Sequence, residues 1–81
     1  MLNTRRFLVI CEEVLAIYHS DASWQSKFDS IFSSEITTAL AETGIEFEWV
    51  ETDSTYQADV TAYVEALTRK ANELKKLGSK A

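Results

Sequence analysis

Along residues 4–19, Phe7, Ile10, Cys11, Val14, Leu15 and Tyr18 recur at i, i+3, i+4, i+7, i+8 and i+11, the spacing of one face of an α-helix. Leu8, Val9, Ala16 and Ile17 carry the apolar surface past a single stripe, so this helix is expected to be central or shared with a second copy. A second helix opens at SDAS, where Ser20, Asp21 or Ser23 accepts hydrogen bonds from the first free backbone amides. It places Trp24, Phe28, Ile31, Phe32, Ile36, Ala39 and Leu40 on one face, and Gly44 follows as a left-handed stop. Ser33 and Ser34 interrupt it with hydroxyls that compete for backbone hydrogen bonds. Because the apolar face runs through them, one continuous helix is expected.

The period then changes. Residues 45–52, IEFEWVET, alternate apolar and polar side chains one by one, which predicts a short β-strand with Ile45, Phe47 and Trp49 inward and Glu46 and Glu48 outward. Helical spacing returns at Tyr56, Val60, Tyr63, Val64, Leu67, Ala71, Leu74 and Leu77, ending at Gly78. Ser54 and Gln57 fit a capping box before it, and Lys75 and Lys76 complement the dipole at its end. The expected fold is mostly α, of the α+β class: one domain with three amphipathic helices and one short strand, in the order α-α-β-α.

One strand cannot make a sheet, and its backbone groups need partners. The same strand of a second copy would supply them in a homodimer; the N-terminal run RRFLVIC would do so if it were itself a strand, although it lacks clean alternation. An open edge accepting a strand from another protein is the third solution, with the glutamates selecting a basic one.

Composition agrees with a packed single domain: 81 residues, 46% hydrophobic and 11% aromatic. Charge changes the picture more. The formal net charge is -5 and it is polarised. Residues 28–68 carry nine carboxylates and no lysine or arginine, whereas residues 69–81 carry five cations against Glu73 alone. Such an acidic stretch steers toward basic partners and repels nucleic acid, so a basic protein is the expected partner and direct nucleic-acid binding is not expected. Glu42, Glu46, Glu48, Glu51, Asp53 and Asp59 are the candidate contact residues.

Candidate chemistry is sparse. His19 is the single histidine and lies at the end of the first helix, where the dipole favours it. Cys11, the single cysteine, lies on an apolar face and is read as a small hydrophobe; neither a disulfide framework nor a cysteine zinc site forms within one chain. Glu12 and Glu13 are adjacent on a helix and diverge, and Glu46 and Glu48 are read as a solvated face. No glycine-rich loop is present. No catalytic residue, metal or cofactor is therefore expected. The apolar run after Arg5 and Arg6 ends at Glu12 with no cleavage site, so neither an export signal nor a membrane span is expected, and the cytoplasm is the expected compartment.

In size, acidity and lack of catalytic signatures the chain resembles small inhibitors encoded by phages and other mobile elements, such as anti-CRISPR proteins, DNA mimics and immunity proteins. The resemblance is one of general character and carries no residue assignment. It implies a non-enzymatic inhibitor or adaptor that docks its acidic surface on a basic protein, including one that itself binds nucleic acid. The alternative is a structural or assembly protein acting through homo-oligomerisation.

Overall fold

The computed structural model describes residues 2–50 and 55–79, with side chains to residue 76. It contains α1 (Thr4–Tyr18), α2 (Trp24–Ile31), α3 (Ser34–Glu42) and α4 (Tyr56–Ser79). Among the described residues there is no strand, so the fold is all-α rather than α+β. The N-terminal run RRFLVIC is helical and forms the start of α1.

Each helix begins at a side chain that satisfies a free amide three residues on. Asn3 Oδ1 accepts from Arg6 N–H at 3.0 Å and Ser23 Oγ from Ser26 N–H at 3.2 Å. Ser33 Oγ accepts from Ile36 N–H at 3.4 Å and Thr55 Oγ1 from Ala58 N–H at 3.0 Å. Ser33 thus starts a new helix in extended backbone (φ -64°, ψ 154°), and the expected continuous second helix is two helices. For α4 the capping side chain is Thr55; the expected box residue Ser54 lies outside the described residues. Nor does Gly78 stop α4, which runs to Ser79.

Ser33→Ala separates the two readings of residues 24–42. A mid-helix alanine would be neutral or stabilising, being the strongest helix former. As a lost N-cap it should cost about 1 kcal/mol, read as a lower urea midpoint in circular dichroism.

α1 packs against the other three helices and α2 packs against α4, so α1 is central, as its broad apolar surface predicts. Phe7, Ile10 and Val14 of α1 meet Ile31 of α2 and Val60 and Leu67 of α4 in the fully buried centre. The 24 residues of α4 span about 36 Å at 1.5 Å per residue, which accounts for the long axis of a 40 × 22 × 20 Å molecule. Among the described residues, no helix is long and apolar enough to cross a membrane.

The turn after α3 sets the path of the former strand. Gly44 takes φ 74°, a left-handed value that glycine adopts without strain, and its N–H donates to Ala41 O at 3.1 Å. Buried Thr43 donates its hydroxyl to Leu40 O at 2.6 Å and accepts from Ile45 N–H at 3.3 Å. Asn3 N–H donates to Thr43 O at 2.9 Å, tying the chain start to this turn. Residues 45–50 leave it with alternating side chains: Ile45 buried, Phe47 and Trp49 half-buried, Glu46, Glu48 and Val50 exposed. The alternation is the one read from the sequence. What is missing is a ladder, for among the described residues no backbone–backbone hydrogen bond joins 45–50 to another segment.

Candidate functional site

Aromatic side chains read as core positions along α2 and α4 turn out to form one connected group with the 45–50 segment. Phe32 lies 4.6 Å from Tyr63 and 5.3 Å from Trp49, and Trp49 lies 5.1 Å from Tyr63, ring centre to ring centre. Phe28 continues the group to Phe32 at 4.6 Å and Tyr56 at 5.0 Å. Phe47 joins Tyr63 at 5.5 Å and the buried Phe7 at 6.1 Å. Tilted and edge-to-face pairs at these separations add attraction beyond area burial, and here they hold the irregular segment against the helices in place of a ladder.

This packing leaves an open groove of about 700 Å³. It is lined by Thr37, Leu40 and Ala41 of α3, by residues 45–49, and by Phe32 and Tyr63. Glu46 and Glu48 line it and are exposed, and the groove lining contains no lysine or arginine. The same two glutamates also border a second, smaller groove of about 310 Å³, where Arg69, Lys70 and Glu73 of α4 face them. Lys70 Nζ lies 3.7 Å from Glu73 Oε1, an exposed pair of small energetic weight. The tertiary structure thus brings cations of the basic end beside carboxylates that the sequence separates from them by more than 20 positions.

The other expected contact residues are distributed differently. Glu42 is exposed at the end of α3 and shares a shallow depression with Glu35 and Thr38. Asp59 is only 7% exposed and lies in the first turn of α4, where its charge complements the helix N-terminus. Glu51 and Asp53 lie outside the described residues. Glu42, Glu46 and Glu48 are therefore the exposed described carboxylates of the expected set.

His19 is exposed, serves as the C-cap of α1, and stands edge-on to Tyr18 at 5.1 Å. Cys11 is buried with Sγ 3.9 Å from Leu67 O, and burial pushes its thiol up to about 11, an unreactive setting. No group of three or more metal-binding side chains occurs among the described residues.

The sequence reading missed Lys27. It is only 7% exposed, with Nζ 4.2 Å from the centre of the Trp24 indole and 5.9 Å from the Tyr18 ring. Trp24 and Lys27 are i and i+3 on a helix, a spacing that signals a cation over an aromatic face. The chain's first cation after Arg6 is absorbed internally in this way.

Comparison with protein-family models, curated proteins and solved structures finds no match to this chain.

Proposed function

We propose that the protein is a non-enzymatic binding module, an inhibitor or adaptor, that docks its acidic surface on a basic protein partner. The observation that carries this reading is the groove lining: Glu46 and Glu48 stand exposed on the opposite side of the 45–50 segment from Phe47 and Trp49, and both border a groove that Phe32, Trp49 and Tyr63 also line and that holds no cation. Carboxylates there attract and orient a basic surface, and the half-buried Phe32 and Trp49 rings add apolar contact beside them. Glu42, the residue after Ala41 at the end of α3, is also exposed and borders a separate depression with Glu35.

The test is capture from a lysate of the source organism, wild type against Glu46→Lys/Glu48→Lys, at low and moderate salt. A basic protein retained by wild type should bind the variant at least about tenfold more weakly, because like charges then face each other. The variant should fold normally, since both residues are exposed. Retention of the same protein by both chains sinks the reading. Self-association that persists at high salt would point to assembly through apolar surface instead; Leu2 and Val50 are exposed on this molecule.

A further inference from the structure

We propose that the groove between α3 and residues 45–49 receives a short basic segment of a different protein, which seats one large apolar side chain on the Phe32, Trp49 and Tyr63 floor. Lysines or arginines flanking that anchor pair with Glu46 and Glu48. This inference rests on the acidic-docking reading and adds where the partner binds and what it must carry.

The floor excludes a cation as the anchor. Phe32, Trp49 and Tyr63 touch one another, with ring centres 4.6 to 5.3 Å apart, so they leave no room for an ammonium group between them. An aromatic cage needs rings that surround its ligand, each within about 6 Å of the cation. These rings form a surface, and an apolar surface is best covered by an apolar side chain. The glutamates then supply the charge preference. Glu46 and Glu48 are two residues apart on a segment with alternating side chains, which spaces them about 6–7 Å along it. Side chains on one face of an extended peptide have the same spacing, so cations in such a segment match both carboxylates.

The form of the groove favours a peptide over a small molecule. Its volume of about 700 Å³ falls within the range of small-ligand sites, but such sites bury roughly 70–90% of their ligand and this one is more open than enclosed. Charge favours a foreign segment over a second copy. Each copy carries -5 as a whole, and its one basic stretch, residues 69–81, already has Arg69 and Lys70 beside its own Glu46 and Glu48. An approaching cation must therefore come from the α3 side, where the lining is free of positive charge.

The test is an NMR titration of the ¹⁵N-labelled chain with three synthetic peptides: a tryptophan flanked by lysines, a lysine-only peptide of equal charge, and a tryptophan flanked by glutamates. The first should bind at least about tenfold more tightly than either control and shift the amides of Thr37, Ala41 and Glu48 and the Trp49 indole N–H. Ala41→Trp, which fills the groove from an exposed position without removing charge or core, should abolish those shifts. Equal binding of the lysine-only peptide, lost in Glu46→Lys/Glu48→Lys, overturns the groove and leaves the acidic-docking reading standing. Equal binding of the glutamate-flanked peptide overturns the basic partner. No binding of either basic peptide overturns the groove proposal, while the lysate capture decides the acidic-docking reading separately. Groove shifts that arise on concentrating the protein alone would assign the site to a second copy and overturn the proposal.

Discussion

Phe7→Ala is expected to destabilise the protein by about 3–5 kcal/mol, a large share of its total stability. A chain of 81 residues has roughly 4–12 kcal/mol of total stability at ordinary values per residue. Phe7 is 0% exposed and joins two parts of the structure. From α1 it fills the centre beside Ile31, Val60 and Leu67, and its ring edge meets Phe47 of the irregular segment at 6.1 Å. Truncation leaves a cavity among three helices and removes the inner contact of the segment that carries Glu46 and Glu48. Urea unfolding followed by circular dichroism measures the loss. Trp49→Ala, at a half-buried position on the groove, should cost clearly less, and a Phe7→Ala loss below about 1.5 kcal/mol would contradict this core.

Alkaline pH should destabilise the fold through Cys11. The unfolded thiol titrates near its ordinary value of 9.0, whereas burial, reinforced by Glu12 and opposed by Lys75, holds the folded thiol protonated up to about 11. Between those values the unfolded state binds fewer protons than the native state, so stability is fully present below pH 9 and falls as pH rises toward 11. At 1.36 kcal/mol for each unit of separation, the loss reaches about 2–3 kcal/mol. Tyr63 acts in the same direction, since burial first and the neighbouring Cys11 second raise its phenol as well. Urea midpoints compared between about pH 8 and about pH 10.5 should fall more steeply in wild type than in Cys11→Ala. Equal slopes would show that the thiol ionises without penalty, and rapid labelling of Cys11 at neutral pH would show the same.

The helical parts of the chain were legible because their signals are local. Apolar positions at helical spacing identified the inward residues of α1, α2 and α4; among the described side chains these are buried or half-buried, except Tyr56, which is exposed at the start of α4. Gly44 was recognisable as a left-handed stop because few other residues take φ 74° without cost. Ser33 was ambiguous for a stated reason: a serine on a polar face suits a helix surface or a helix start, and the choice depends on whether the two halves pack in one line. They do not, and α2 turns against α4 while α3 packs on α1.

The strand shows the limit of a periodic signal. Alternation at Ile45, Glu46, Phe47, Glu48 and Trp49 specifies which side chains face inward, and they do. It does not provide a second backbone, and every other apolar run in the described chain is helical, with its amides already bonded internally. The candidate site was legible only in part for the same reason. Glu46 and Glu48 could be named from alternation, but the aromatic lining they border comes from Phe32 and Tyr63, 31 positions apart, each indistinguishable from a core residue on its own helix.

By itself, then, the sequence determined the helical faces, the outward glutamates, the inert placement of Cys11 and the polarised charge, because each follows from spacing or composition along the chain. Only the tertiary structure decided that residues 45–50 lie on aromatic rings without a ladder, that Asp59 is buried, and that Arg69 and Lys70 stand beside Glu46 and Glu48. Those outcomes depend on which elements meet across the core, and contact between distant segments is a property of packing that no local pattern encodes.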